Sequence, residues 1–113
     1  MEATTDCRTC VVRELNDRLR TKGEGGQIFM TRGVQAKGEA FITAALGVMR
    51  AFDDFSPEND PHDEHDFGRI VIEGEPLLWK IDYYDENREF GSEDPANPEK
   101  TTRVLTLMLA NEY

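Results

Sequence analysis

Apolar residues recur at three-to-four-residue spacing in two stretches of this chain and alternate in a third, and these rhythms predict its elements. Cys7, Val11, Leu15 and Leu19 lie four residues apart, with Arg8, Arg13, Asp17, Arg18 and Arg20 mostly around the other side. That spacing predicts a first helix, capped by Thr4, Thr5 or Asp6 and stopped at Gly23. The glycine-rich run 23–26 cannot continue it and leads into Gln27–Val34, which reads as a strand. Phe41, Ile42, Ala45, Leu46, Val48, Met49 and Phe52 then cover a broad face at helical spacing, predicting a central core helix over about Lys37 to Phe52.

Residues 53–66 break the periodicity. Pro57 and Pro61 fix φ there, and the Ser and Asx side chains favour turns, so an ordered, turn-rich loop is expected. Strict alternation returns from Gly68 to Tyr84 and predicts a β-hairpin. With Gly74 and Glu75 as its turn, Ile72 faces Leu77 and Ile70 faces Trp79. Ile70, Ile72, Leu77, Trp79, Ile81 and Tyr83 then share one apolar face, while Arg69, Val71, Leu78, Lys80, Asp82 and Tyr84 share a mixed one. The mixed face reads either as a functional surface or as a partly solvated outer face.

After a polar stretch from Asp85, Asn97 as N-cap and Pro98 at the first helical position predict a last helix to about Asn111, burying Val104, Leu105, Met108 and Leu109. Leu105, Leu107 and Leu109 also alternate as a strand would; the capping signal decides for helix. The expected fold is a single α+β domain, residues 1–113, in the order α-β-α-β-β-α. Its small, three-stranded, mainly antiparallel sheet carries about three helices on one face.

Composition adds the charge. The chain of 113 residues has 23 Asp and Glu against 13 Lys and Arg, a net charge of -10. The asymmetry is sharper than the total: residues 1–50 hold eight basic and six acidic residues, and residues 51–113 hold five and seventeen. Such a field repels nucleic-acid backbones and acidic lipid, and favours cations or basic protein surfaces, so direct DNA binding is disfavoured. Plain solubility is the alternative use of the same charge. No apolar run is long enough to cross a bilayer, and the N-terminus lacks the basic start and apolar stretch of a signal peptide, so a cytoplasmic location is expected.

Several stretches, Met30–Val34, Phe52–Phe55, Asn59–Gly68, Trp79–Asp85 and Arg103–Ala110, resemble a family of small proteobacterial proteins of unknown function, often carried on plasmids and other mobile elements. The resemblance spans about residue 14 to Tyr113. It implies a mobile-element setting but no activity, substrate or catalytic residue, and it gives Cys7 and Cys10 no role.

The 53–66 loop is the most conspicuous constellation. Asp53, Asp54, Glu58, Asp60, Asp63, Glu64 and Asp66, with His62 and His65, place seven carboxylates and two imidazoles in 14 residues without a Lys or Arg. Oxygen ligands favour Mg²⁺, Ca²⁺ or Mn²⁺, and the histidines admit Zn²⁺. The candidate metal set is Asp60, His62, His65, Asp66 and Asp82. No standard motif fits: a calcium-loop register from Asp54 puts Asn59 where glycine is needed and His65 where the bidentate glutamate belongs. Cys7 and Cys10 form a Cys-x-x-Cys pair, read as reduced and structural, with redox chemistry or half a zinc site as the alternatives. Gly23–Gly26 lacks the Lys-Ser/Thr of a phosphate loop. Lys80, Asp82 and Tyr84 beside Arg69 permit acid-base chemistry only if a histidine joins them, and no catalytic residue is assigned.

Two functions follow as expectations. The first is a non-enzymatic, cofactor-free module that presents Asp53, Asp54, Glu58, Asp60, Asp63, Glu64 and Asp66 to a basic protein surface. In the mobile-element setting it would be an inhibitor of a host nucleic-acid-binding defence complex, of anti-CRISPR or anti-restriction type. The second is a metal-dependent enzyme or metal-binding domain that holds a divalent ion on the Asp/His loop.

Overall fold

A computed structural model describes residues 7–113, and the capping expected from Thr4, Thr5 or Asp6 lies outside the described residues. The elements are α1 (Arg8–Lys22), β1 (Gln27–Met30), α2 (Arg32–Ala36), α3 (Glu39–Ala51), β2 (Phe67–Ile72), β3 (Glu75–Tyr84) and β4 (Thr102–Leu109), followed by a short 3-10 turn, Ala110–Glu112. The fold is α+β, but its sheet has four strands and not three. Their order is β1-β4-β3-β2, with β1 parallel to β4 and the other two pairs antiparallel.

The fourth strand comes from the segment expected to be the last helix. Asn97 does hold a turn, since its Oδ1 accepts the Glu99 N–H at 2.9 Å, the kind of bond a helix cap makes. The turn ends there. Thr101 and Thr102 are β-branched, and Arg103, Leu105, Leu107 and Leu109 alternate inward on a strand between β1 and β3. Burial on both sides of a central strand outweighs one local capping signal. The order α-β-α-β-β-α is therefore replaced by a chain whose last strand lies inside the sheet.

The expected strand Gln27–Val34 is shorter than its sequence suggests. It stops at Met30, and Thr31 opens α2 while donating its backbone N–H to Leu107 O at 3.1 Å. Glu112 completes that helix start: its carboxylate accepts from the Thr31 hydroxyl at 2.5 Å and from Gly33 N–H at 3.0 Å. The hairpin turn is also one residue earlier than expected. Glu73 and Gly74 both have positive φ, 52° and 83°, as a two-residue turn of the primed type requires. Ile70 therefore pairs Leu77, and Gly68 pairs Trp79. The register moves by two residues, and an even slip keeps every side chain on its expected face.

The helices pack on one face of the sheet. Leu19, Val34, Phe41, Ala45 and Met49 meet Ile70, Ile72, Leu77, Trp79, Ile81, Leu105, Leu107 and Leu109 in one buried cluster, each large side chain stabilising by roughly 1.5–3 kcal/mol. Along α1 the buried stripe is Val12, Asn16, Leu19 and Arg20; of the expected Cys7, Val11, Leu15 and Leu19, only Leu19 is fully buried. The helix turns a polar pair inward, Asn16 to bond Tyr83 and Arg103, and Arg20 to lie over the Phe55 and Trp79 rings. No helix of the described residues is long and apolar enough to cross a membrane.

Candidate functional site

Topology brings the two acidic connections to one end of the sheet. The 53–66 loop delivers the chain to the start of β2, whose Phe67 pairs Lys80 near the end of β3, and residues 85–101 join the end of β3 to the start of β4. The Glu73-Gly74 turn lies at the opposite end. Seven carboxylates in the first connection and six in the second, thirteen of the 23 in the chain, therefore share that end.

Inside the first connection, the loop folds around Asp60, a buried carboxylate. Asp60 Oδ1 accepts the N–H groups of Glu64 and His65, at 3.0 and 3.2 Å. Asn59 props the other side, accepting Ser56 N–H at 2.8 Å and donating to Asp54 O at 2.8 Å. Asp63 and His65 take left-handed backbone conformations, with φ of 58° and 55°, to close the wrap. The ordered, turn-rich loop expected from the sequence is present.

The His65 ring stacks on Phe55 with centroids 3.7 Å apart, and its Nδ1 lies 2.9 Å from Asp17 Oδ1. Asp17 also accepts from Arg20 at 3.1 Å, and the Arg20 guanidinium lies over the rings of Phe55 and Trp79. A second network sits beside it. Tyr83 Oη donates to Glu64 Oε1 at 2.8 Å and accepts from Asn16 Nδ2 at 2.8 Å. Arg103 Nε donates to Asn16 Oδ1 at 2.8 Å, another guanidinium N–H reaches Pro95 O, and the group covers the Tyr83 ring. Burial pushes the Tyr83 phenol far above its ordinary value, and the neighbouring Glu64 adds to this. Burial likewise lowers the Arg103 guanidinium, opposed by Tyr83 and Glu64. Burial also raises the Asp66 carboxyl, with Glu64 and Asp60 adding to it. These groups lock α1, the loop, β3 and β4 together.

The metal set expected from the sequence is only partly assembled. Asp60, Asp63 and His65 bring ligand atoms within 4.8 Å of one another, beside a cleft of about 300 Å³. His62 is exposed and outside this group. Asp66 is outside it too, and Asp82 lies on the other face of the sheet, paired with Lys80 at 3.3 Å. The same alternation separates the row Lys80, Asp82, Tyr84 from His65, which packs on the helix side near Phe55 and Trp79. Of the acidic-surface residues, Asp53, Asp54 and Glu58 are exposed, and Asp63 is exposed but bonded to Arg13 at 2.7 Å. Asp60 is buried, and Glu64 and Asp66 are half-buried.

Sequence reasoning missed Asn16, Tyr83 and Arg103 as a unit. A signal existed for each: Asn16 sits in phase with Val12 and Leu19, and Arg103 occupies an inward position of the 103, 105, 107, 109 alternation. The second connection was also missed as a surface. Phe90 there is 73 % exposed among the exposed carboxylates Glu86, Glu89 and Glu93.

A family model described as "Protein of unknown function (DUF3768)" matches residues 30–112. No curated protein and no solved structure matches the chain.

Proposed function

The chain belongs to the DUF3768 family of proteins of unknown function, and from that premise we propose that it is a non-enzymatic binding protein whose acidic end docks on a basic protein surface. The observation that supports this most is the meeting of both acidic connections at one end of the sheet, with exposed Phe90 flanked in sequence by the exposed Glu86, Glu89 and Glu93. A dense negative field steers a Lys/Arg-lined groove toward it, and an exposed aromatic side chain supplies an anchor that charge alone lacks. The groove fitted to such a surface is one that otherwise takes phosphate. An inhibitor carried by a mobile element against a host nucleic-acid-binding defence complex is the biological form of this reading.

The test is retention of host proteins by the immobilised full chain. The retained partner should be basic, be released between low and high salt, and be displaced by heparin or duplex DNA. Glu86→Lys with Glu89→Lys should abolish retention at unchanged melting temperature. Recovery of no basic partner, or binding indifferent to salt, refutes the reading.

A second reading, a divalent-metal site at Asp60, Asp63 and His65, is favoured by one feature. With Nδ1 on Asp17, His65 leaves Nε2 toward Asp60 Oδ2 at 3.9 Å, as in carboxylate-held histidine ligands. Against it, Arg13 already holds Asp63, and two backbone N–H groups already hold Asp60. Zn²⁺ or Mn²⁺ should raise the melting temperature if this reading holds, and the rise should vanish in Asp63→Asn.

A further inference from the structure

Cys7 and Cys10 are joined by a disulfide, contrary to the reduced pair expected from the sequence. They lie outside the residues of the family match and outside the acidic end's docking role. We propose that this pair is a thiol–disulfide exchange site, acting on thiols of the glutathione class.

Four observations carry it. The bond closes a loop with a sequence separation of only 3, inside one helical turn, so it restrains the unfolded chain little and makes a poor staple. The pair lies at the surface, with Cys10 exposed and Cys7 half-buried. Cys7 is the N-cap of α1, a 15-residue helix, and its Sγ accepts the Cys10 backbone N–H at 3.2 Å, so a thiolate formed there meets a backbone donor and the positive end of the helix. Finally, Arg13 Nη2 lies 3.4 Å from Cys10 Sγ. Asp63 holds that guanidinium in place, its carboxylate and its carbonyl both accepting from Arg13 Nη1, at 2.7 and 2.9 Å. Both sulfurs thus have a feature that favours the anion.

The chemistry balances with two thiols. A thiolate RS⁻ attacks the Sγ of Cys10, the more exposed residue of the pair, the Cys7–Cys10 bond breaks, and its electron pair leaves on Cys7, whose sulfur accepts the Cys10 N–H. A second RS⁻ attacks the R sulfur of the mixed disulfide, releasing RSSR and leaving Cys10 as a thiolate beside Arg13. Two RSH are oxidised to RSSR, the protein disulfide is reduced to two thiols, and the protons of RSH end on whichever thiolates and water accept them. The reverse reaction reoxidises the pair at the expense of RSSR.

The experiment uses the full chain equilibrated in glutathione buffers, with iodoacetamide alkylation followed by peptide mass spectrometry. The pair should titrate reversibly between disulfide and dithiol. In the reduced protein, at least one cysteine should alkylate with a pH midpoint a unit or more below the ordinary thiol value of about 8.5, and Arg13→Gln should raise the midpoint of Cys10. Cys7→Ser, which keeps a good capping residue, should accumulate a glutathione adduct on Cys10 when treated with glutathione disulfide. Midpoints at or above about 8.5 for both thiols, a Cys10 midpoint indifferent to Arg13→Gln, or no adduct on Cys7→Ser would each overturn the assignment.

Discussion

Arg103 Nε donates to Asn16 Oδ1 at 2.8 Å, joining the inward face of the central strand β4 to the buried face of α1. Asn16 spends both halves of its amide here, since its Nδ2 also donates to Tyr83 Oη and to Glu64 O. Asn16→Ala strips a buried guanidinium of an acceptor and leaves two half-buried groups, Tyr83 Oη and Glu64 O, short of a donor. Urea unfolding should show a loss of roughly 2–4 kcal/mol. A loss within experimental error would mean that water reaches Arg103 and that the network is not sealed.

Gly68 faces Trp79 across the β2-β3 pair, and a Cβ at residue 68 would stand 2.4 Å from Trp79 Nε1. Trp79 cannot retreat, because Phe52 and Phe55 meet it edge-on from the helix side at 5.6 and 6.2 Å. Gly68→Ala should therefore destabilise by about 1–3 kcal/mol. The chain has a single Trp, so its fluorescence should shift in the variant even under native conditions. Native emission identical to wild type would show that the indole has room to spare.

These two contacts mark the limit of what was legible. The hairpin's two faces were readable from alternation alone, because an even register slip does not exchange them. The core helix was readable for the same kind of reason: Phe41, Ala45 and Met49 are buried at the expected spacing. Residues 102–109 were not readable, because Asn97 and Pro98 carry a true local turn signal, and the partner that makes a strand preferable, β1, lies over 70 residues away in sequence. The acidic loop was legible as a loop and not as a site. Its carboxylates look alike in sequence, yet Asp60 serves the backbone, Glu64 holds Tyr83 and Asp63 holds Arg13.

Glu112 gives a pH signature. Its hydrogen bonds from Thr31, Leu109 N–H and Gly33 N–H stabilise the anion and hold the carboxyl below its ordinary value of 4.5. Since the folded value is the lower one, the stabilisation is complete above the ordinary glutamate range and is lost as pH falls through the folded value. Glu112→Gln should melt lower than wild type at pH 7, and the gap should narrow below about pH 4. A gap that stays constant down to pH 3 would assign Glu112 a packing role alone.

The acidic end should cost the free protein stability. With a net charge of -10 and thirteen carboxylates gathered at one end, folding brings like charges together that the unfolded chain holds apart. Part of this repulsion is screened by salt, whose screening length falls from about 30 Å at 0.01 M to about 3 Å at 1 M. Melting temperature should therefore rise from low to high NaCl, and Glu86→Gln with Glu89→Gln should reproduce part of the rise at low salt, on the order of a few tenths of a kcal/mol for each exposed charge. The same substitutions weaken retention of a basic partner if the end is a docking surface. Stability gained and binding lost in one variant is the pattern of a surface kept charged for a partner. Stability gained with retention unchanged would leave solubility as the use of the charge.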